Sequence, residues 1–440
     1  MTSQFMNEIL GVSPGWSRLV ALCSLILCLY PILGAMYWFW GAVAYRWFRQ
    51  KDELRPGQSL VKTPMVTIMV PAHNEEVVIE RTLRYLLTEL DYPNYEVLVL
   101  DDGSTDQTPQ LLARLQAQFA QLRVITITAN QGKAHAFNIG TFFARGEYIL
   151  SNDADTLPEP DALTKYMQYF TSPAGLNYAA ITANMDVYNR TTLWGKSQTV
   201  EFASIVGIIK RSQTAINNTM YAYSGANTMY RRDFLLAAGG FRQDRATEDI
   251  SIAWDQTFLN LTPKFAPDIV FHMNVPESFR DLYRQRKRWA QGGTEVWLTN
   301  LPRLLAHPWR YRHVWSIMWD TTFSIVWAFF FWLTSLWFGL TMLSFAWNGN
   351  YERVWHGIVM SLIFVTCQLV AGLLQVLAAL ILDLHGAKRR YLFFAPWYLL
   401  FTWLVNPLTI VTTFPRAVKT IAGYGKGTWV SPTRKVVNDD

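Results

Sequence analysis

The chain has 440 residues, of which 51% are hydrophobic and only 16% are charged, a composition too apolar for an ordinary soluble protein. Its net charge of +6 is modest, and the Lys and Arg residues cluster at the ends of apolar runs instead of covering one face. This pattern favours a membrane protein and argues against nucleic-acid binding.

Residues 1–59 are predicted to form a membrane segment and a basic linker. The run 19–44 is almost uncharged, and it is long enough to cross a hydrocarbon core of about 30 Å as one tilted helix. Basic residues follow it between positions 46 and 55, and positive charge marks the cytoplasmic side of a membrane segment. We therefore expect the next part of the chain to be cytoplasmic.

Residues 60–300 are predicted to form a soluble domain, because they contain no apolar run long enough to cross a membrane. Alternating strands and helices are typical of a Rossmann-like α/β domain with a mostly parallel sheet, whose ligands bind at the carboxyl ends of the strands. The predicted strands lie at 65–70, 96–100, 124–127 and 148–150, with helices at about 75–90 and from 107 onwards.

Residues 301–440 contain three further apolar runs, at about 314–347, 355–382 and 391–413. The tail after them is basic and belongs in the cytoplasm, whereas three crossings would place it on the opposite side. One run is therefore expected to be interfacial or re-entrant, and 391–413, interrupted by Pro396 and Pro407, is the best candidate. The number of crossings stays open at this point.

Acidic and amide side chains follow the first two predicted strands. In Asp101-Asp102-Gly103-Ser104, the Asp102 carboxylate is predicted to accept a hydrogen bond from the N3–H of uracil, while Gly103 turns the chain away. The alternative is an ordinary Asx turn. After the preceding strand, Asn74 or Glu75 is expected to reach the base or the ribose, and the alternative there is that Asn74 caps a helix.

A second acidic pair, Asp153 and Asp155, follows the apolar strand 148–150. Side chains two residues apart in an extended chain point the same way, so both carboxylates are expected to bind one Mg²⁺ or Mn²⁺ that bridges two phosphates. Lys133 is predicted to add positive charge near the diphosphate. The alternative is that Lys133 is a solvated loop residue.

The motif Thr247-Glu248-Asp249 offers a catalytic base. Sugar transfer with inversion needs a group that takes the proton of the acceptor hydroxyl, and a partly desolvated carboxylate can do so. We assign this role to Asp249 and acceptor binding to Glu248. A helix N-cap at Thr247 or Asp249 is the competing interpretation, and both can hold at once.

The run 284–289, Arg-Gln-Arg-Lys-Arg-Trp, places four cations beside an indole and would be poor core material. Arginine forks suit phosphate oxygens and would stabilise a departing nucleoside diphosphate, while Trp289 is expected to stack on the acceptor sugar. The alternative is an amphipathic helix on the membrane surface.

These motifs, in this order, resemble those of the processive family 2 glycosyltransferases, which include cellulose, hyaluronan and chitin synthases. The chain is also similar to the poly-β-1,6-N-acetyl-D-glucosamine synthases of bacterial biofilm operons. The residues that carry this second resemblance are Thr247-Glu248-Asp249-Ile250, Arg286-Lys287-Arg288-Trp289-Ala290-Gln291-Gly292-Gly293 and Trp429-Val430-Ser431-Pro432.

The resemblance implies a GT-A domain inserted between transmembrane helices of the bacterial inner membrane, with the catalytic domain in the cytoplasm. It implies UDP-N-acetylglucosamine as donor, Mg²⁺ as cofactor, inversion at the anomeric carbon and a growing polysaccharide as product. A small membrane partner subunit and outer-membrane export machinery are implied as partners. One departure is that the amino terminus shows one crossing where relatives often have two.

Residue by residue, the resemblance assigns uracil binding to Asp102, metal and diphosphate binding to the pair Asp153 and Asp155, and proton abstraction to Asp249. The acceptor and diphosphate roles fall to Gln285, Arg288, Trp289 and, in the loop 224–227, Gly225. Alternatives within enzymes are β-1,4 synthesis of the hyaluronan, chitin or cellulose type and non-processive transfer to a lipid. From another class, a polysaccharide transporter or a sugar-binding receptor is the alternative.

Overall fold

The computed structural model describes residues 14–49, 60, 62–383 and 388–424. Most of the predicted basic linker and the tail motif Trp429-Val430-Ser431-Pro432 lie outside the described residues.

An eight-stranded sheet forms the centre of the described part of the chain, in the order β3-β2-β1-β4-β7-β6-β8-β5. Strands β1 to β4 are parallel and so are β6 and β8, whereas β7 runs antiparallel to both of its neighbours. The strands are β1 (Val66–Ala72), β2 (Tyr95–Asp102), β3 (Leu122–Ile127), β4 (Tyr148–Asn152), β5 (Leu157–Pro158), β6 (Tyr178–Val187), β7 (Asn227–Arg231) and β8 (Thr262–Met273).

Helices cover both faces of this sheet and continue into long apolar helices. They are α1 (Pro14–Ala44), α2 (Ile79–Thr88), α3 (Thr108–Gln118), α4 (Lys133–Phe143), α5 (Ala162–Thr171), α6 (Leu193–Phe202), α7 (Lys210–Ile216), α8 (Arg232–Ala237), α9 (Glu248–Phe258), α10 (Phe279–Ala306), α11 (Trp315–Trp347), α12 (Tyr351–Leu382) and α13 (Ala395–Lys419).

The alternation of side chains along β2 explains the two-faced core. Val97 and Val99 pack with α2, α3 and α5 on one face of the sheet, whereas Leu98 and Leu100 pack with α4 on the other. A strand buried on both faces reads as a continuous apolar run, which is why β1 and β2 could be located from sequence. The expected α/β domain with a mostly parallel sheet is confirmed.

Four segments of the described chain are long and apolar enough to cross a membrane, judged by length and composition. They leave large apolar side chains exposed, such as Leu336 at 62% on α11 and Leu362 at 59% on α12. Continuous exposed apolar surface of this kind requires lipid or a partner to cover it. The segments are Leu25–Phe48, Arg312–Trp347, Tyr351–Leu382 and Lys388–Gly423.

A buried polar cluster joins the segment after α12 to the sheet. The Lys388 ammonium donates to Asp383 Oδ2 at 2.7 Å and to Oδ1 of Asn184, on β6, at 2.9 Å. The Asn184 amide in turn donates to Asp383 Oδ1 at 3.1 Å. The side chains of Asp383 and Lys388 are 0% and 1% exposed, so neither charge can exchange its partner for water.

Lys388→Met is expected to lower the free energy of unfolding by about 3–5 kcal/mol, because it removes the closer of the two cations that pair with the buried Asp383 carboxylate and leaves only Arg211, at 3.7 Å. The measurement is thermal unfolding of the purified protein in nanodiscs. Arg390→Met is the matched control, since Arg390 is two residues away and exposed. Equal melting temperatures for the two variants would contradict a stabilising role for this cluster.

Candidate active site

Polar side chains gather where β1, β2 and β4 end. These strands are parallel neighbours, so their carboxyl ends lie at one edge of the sheet. Asp102 is the last residue of β2, Asn74 follows β1 and Asp153 follows β4. The structure therefore brings the residues of the first two predicted motifs to the same edge.

Asp102 holds the loop that leads into α4. Its carboxylate accepts hydrogen bonds from the backbone N–H of Gly132 at 2.7 Å and of Gln131 at 3.1 Å. The neighbouring Asp101 accepts from the N–H of Ser104 at 3.1 Å, three residues on, one residue further than in the Asx turn that was the alternative. Asp102 is thus a buried acceptor at the strand end, and it positions the segment before Lys133.

Asn74 does not cap a helix, so that alternative was wrong. Helix α2 begins only at Ile79, and the Asn74 side-chain oxygen accepts from the N–H of Thr105 at 2.8 Å and of Asp106 at 3.3 Å. It joins the loops after β1 and β2 across about thirty positions of sequence, with a left-handed φ of 56°. Glu75, beside it, is buried.

The extended geometry expected for Asp153 and Asp155 is not found. Strand β4 ends at Asn152, and the two aspartates lie in a turn in which the N–H of Thr156 donates to the Asp153 carbonyl at 3.1 Å. The argument from strand periodicity therefore fails, although both carboxyl groups remain at the edge of the site, partly exposed.

The donor set at this turn fits a hard divalent ion. Within the residues that the structure describes, no group of three or more His, Cys, Asp or Glu side chains could hold a metal. Mg²⁺ needs no such cage, because it binds one or two carboxylates together with substrate phosphates and water. Asp153 and Asp155 offer those two carboxylates.

Lys133 links three separate segments. Its ammonium lies 2.7 Å from Asp153 Oδ1 and 3.1 Å from Glu248 Oε1, and it donates to the carbonyl of Gly225 at 3.2 Å. Burial alone would lower the pKa of Lys133, but these carboxylates, with Asp249, outweigh it and raise that pKa. Lys133 is therefore a buried cation and not a solvated loop residue.

Gly225 lies between Lys133 and the acidic pair that begins α9. Its N–H donates to Asp249 Oδ2 at 3.1 Å. A Cβ at this position would lie 2.9 Å from the Lys133 Nζ and 3.0 Å from Glu248 Oε1. The loop can approach these charged groups this closely only because residue 225 has no side chain.

Glu248 and Asp249 are adjacent carboxyls whose pKa values move in opposite directions. Burial would raise the pKa of Glu248, but Lys133 and Arg288 outweigh it and hold that pKa below its usual value. Burial and the neighbouring Glu248 charge raise the pKa of Asp249 to about 6, although Lys133 and Arg288 act against them. Asp249 is thus a stronger base than an ordinary aspartate, at the positive end of a helix dipole.

Two glycines let α10 pack closely, Gly292 against the start of α9 and Gly293 against Tyr221. A Cβ on Gly292 would overlap Thr247, and one on Gly293 would overlap the Tyr221 hydroxyl. Thr247 is the N-cap residue of α9, but its side chain makes no capping hydrogen bond. Glu295, one turn further along α10, accepts from the N–H of Ala246 at 2.8 Å and fixes the chain just before the motif.

The basic run 284–289 was expected to stay out of the core, and for Arg286 this expectation was wrong. Its side chain is 4% exposed and pairs with the buried Glu201 on α6 at 2.5 Å. Its guanidinium also lies 4.1 Å from the centre of the Trp289 ring and donates to Gln285 Oε1 at 2.9 Å. Arg286 therefore anchors α10 and orients both predicted acceptor residues.

Arg288 lies on another side of α10 and is exposed. Its charge lowers the pKa values of both Glu248 and Asp249, so it lies within electrostatic reach of the acidic pair. The core of the candidate site is then Lys133, Asp153, Gly225, Glu248, Asp249 and Arg288.

Sequence reasoning missed Glu201 and Glu295. Glu201 forms a buried ion pair with Arg286, which lies 85 positions away in the sequence. No local sequence pattern could therefore reveal it. Glu295 offered a weak signal, as an acid four residues after Gln291 in a basic helix, and the two side chains do hydrogen-bond at 2.8 Å.

The sequence of this chain is similar to those of known glycosyltransferases. Residues 67–237 match the sequence profile described as Glycosyl transferase family 2. The chain is 29% identical over 418 residues to a poly-β-1,6-N-acetyl-D-glucosamine synthase of Staphylococcus epidermidis, covering 93% of this chain and 97% of that protein. A synthase of the same name from Staphylococcus aureus is 29% identical over 413 residues, with the same coverage.

Among solved structures, a mannosyltransferase from Pyrobaculum calidifontis in complex with GDP-Man and Mn2+ is similar in fold. Its TM-score is 0.59 at 20% identity, with 82% of this chain and 98% of that chain covered. The expected fold, a GT-A domain combined with helices long enough to span a membrane, is confirmed.

Gly292→Ala is expected to lower the free energy of unfolding by about 1–3 kcal/mol, because the added methyl group overlaps Thr247. Adding Thr247→Ala should restore part of the loss, since it removes Oγ1 and Cγ2, two of the three overlapping atoms, and leaves Cβ. Thermal unfolding of the single and double variants measures both effects. The control is Gly339→Ala, at a helical glycine with open space around it; a loss no larger than the control's would contradict the close approach of α10.

Proposed function

Because residues 67–237 match the sequence profile of Glycosyl transferase family 2, we propose that this chain polymerises N-acetylglucosamine from UDP-N-acetylglucosamine into poly-β-1,6-N-acetyl-D-glucosamine. The observation that carries the proposal is the buried acidic pair at the start of α9, in which Asp249 is basic while Glu248 stays ionised beside Lys133. Similarity to the two staphylococcal synthases along almost the whole chain supports the choice of donor and linkage.

In this proposal Asp249 is the catalytic base. Its carboxylate takes the proton of the acceptor's 6-hydroxyl, and the freed oxygen forms a bond to the anomeric carbon of the donor. The bond from that carbon to the diphosphate oxygen breaks on the opposite face, so UDP leaves and the configuration inverts. A pKa of about 6 suits this step, because the carboxylate is ionised at neutral pH yet more basic than an ordinary aspartate.

The charge that develops on the leaving diphosphate is stabilised by cations of this site. Lys133 is buried and directed into the cluster, and Arg288 is exposed and within electrostatic reach of it. Asp153 and Asp155 would hold Mg²⁺ or Mn²⁺, which supplies further positive charge to the phosphate oxygens. Lys133 is held in place by its ion pairs, so it needs no reorganisation when the bond breaks.

The remaining predicted residues divide between donor and acceptor. Asn74, Glu75 and Asp102 would contact the uracil and ribose, since they lie at the ends of β1 and β2 beside the loop that ends in Lys133. Gln285 and Trp289 would contact the acceptor sugar, because Arg286 holds both on the face of α10 that packs on the domain core. Apolar C–H faces of sugars pack well on an indole.

The apolar helices support the membrane location in the proposed cellular role. The catalytic domain would lie at the cytoplasmic face of a bacterial inner membrane, and the polymer would cross that membrane during synthesis. A small membrane partner subunit and outer-membrane export machinery would deliver it to the biofilm matrix. The exposed apolar surfaces of α11 and α12 leave room for such a subunit.

Purified protein in nanodiscs, given UDP-N-acetylglucosamine and Mg²⁺, is expected to make a polymer that a β-1,6-specific hydrolase digests. Asp249→Asn should lower the rate by about 10²–10⁴-fold, because an amide cannot accept the proton. UDP binding should persist in that variant and is measured separately by calorimetry. Asp233→Asn, at an exposed position outside the site, is the matched control.

Polymer that resists the hydrolase would overturn the linkage in favour of β-1,4 synthesis. Transfer to a lipid without polymer would overturn processivity. Full activity of Asp249→Asn would remove the base assignment while leaving the product assignment intact.

The rate should also depend on pH through Asp249. The ionised form is active, so kcat/KM should fall roughly tenfold per pH unit below about pH 6, where the carboxyl becomes protonated. Arg288 lowers the pKa of Asp249, so Arg288→Gln should move this acid limb to higher pH as well as lowering the rate. Initial rates across a pH series measure the limb, and an unmoved limb would show that Arg288 does not act on the base.

A further inference from the structure

A cavity of about 290 Å³ lies between α10, α13 and the segment 244–246. Four cationic side chains line it: Arg284, Lys287 and Arg288 from α10 and Arg416 from the last turn of α13. Two carboxylates, Asp244 and Glu295, are also in its wall. The cavity is therefore positively charged, and its charge comes from two separate helices.

The spacing of the cations on α10 is unfavourable without a counterion. Arg284, Lys287 and Arg288 are three and four positions apart, so they lie on one face of the helix, where like charges repel. Arg416 brings a fourth positive charge to the same face from α13. An anion within the cavity would turn this repulsion into attraction.

The two carboxylates in the wall are already engaged. Asp244 pairs with Arg245 at 2.6 Å, and Arg245 does not line the cavity. Both Glu295 oxygens accept hydrogen bonds, one from the N–H of Ala246 and one from Gln291. Arg284 pairs with the exposed Asp281 at 3.7 Å, whereas within the described chain neither Arg288 nor Arg416 forms an ion pair, so these two guanidinium groups keep their donors for another partner.

We propose that this α10–α13 cavity binds a phosphate-bearing ligand, with Arg416 as the contribution of α13. Guanidinium groups form paired hydrogen bonds with phosphate oxygens, which suits a site built from three arginines and one lysine. The ligand would also join α10, which carries the acceptor residues, to a helix apolar enough for the membrane.

Two sources supply this chemistry. One is the nucleoside diphosphate released by the reaction, in which case the inference rests on the proposed function, since Arg288 lies within electrostatic reach of the acidic pair. The other is the headgroup of an anionic lipid, which would lie at the level where α13 becomes basic. The two sources need different tests.

Binding of inorganic pyrophosphate tests the site without any catalysis. In phosphatidylcholine nanodiscs without donor, pyrophosphate should raise the melting temperature of the native protein and of Lys419→Gln. In Arg416→Gln its affinity should fall about tenfold or more, because a charged hydrogen-bonding group is lost. Lys419 is the matched control, as it is exposed in the same turn of α13 but does not line the cavity.

Unchanged pyrophosphate affinity in Arg416→Gln would overturn the proposal, and so would the absence of binding to the native protein. If Arg416→Gln does not fold, Arg284→Gln takes its place, with the exposed Arg280→Gln as control. Because no transfer reaction is involved, a failed polymerase assay would leave this result unaffected.

The source of the phosphate is then resolved by competition. A nucleotide source predicts that UDP displaces pyrophosphate and that UDP inhibits polymerisation less in Arg416→Gln than in Lys419→Gln. A lipid source predicts that adding phosphatidylglycerol to the nanodiscs displaces pyrophosphate from the native protein, and that Arg416→Gln differs in activity from Lys419→Gln only in those nanodiscs. Either result supports the anion site.

Discussion

The buried ammonium group of Lys133 is the interaction on which the active site depends. A buried charge is tolerated only when it is well paired, and this one contacts the turn after β4, the loop before β7 and the first turn of α9. Without it, Asp153 and Glu248 would repel each other in a partly desolvated pocket. One cation therefore fixes three segments that are distant in sequence.

The same cation separates the properties of two adjacent acids. Glu248 contacts Lys133 and keeps a low pKa, so its charge is present when Asp249 titrates and raises the pKa of that neighbour. Asp249 is stabilised by the N–H of Gly225 instead of a direct cation contact. When the surroundings move the pKa values of two neighbouring carboxyl groups apart, one group can stay charged while the other acts as a base. Here Glu248 has the first role and Asp249 the second.

Features encoded locally could be predicted from the sequence. The apolar strands, the carboxylates at their ends and the left-handed turn at Gly103, with φ of 69°, each follow from neighbouring residues. Contacts between residues that are far apart in the sequence could not be predicted in this way. Asn74 binds a loop about thirty residues away and Arg286 pairs with Glu201 85 residues away, so both looked like local features of a cap and a basic surface.

The packing of α13 helps to decide the membrane topology. The distribution of charged residues in the sequence had left the number of crossings open. The first residues of α13, Ala395 and Tyr398, pack with Val200 at the catalytic domain, and its last turn brings Arg416 to the cavity beside residues 244–246. With 25 residues α13 is about 37 Å long, so a helix that crossed the bilayer would carry one end far from that domain.

Both ends of α13 instead contact it, and between them Phe401 and Val405 pack on Leu282 of α10. Although α13 is long and apolar enough to span a membrane, this packing favours the interpretation that it lies along the catalytic domain at the membrane surface. Helices α11 and α12 would then form the only complete out-and-back pair after the catalytic domain within the described residues. Arg416 and Lys419, in the last turn of α13, would then lie on the side of that domain, as their positive charge favours.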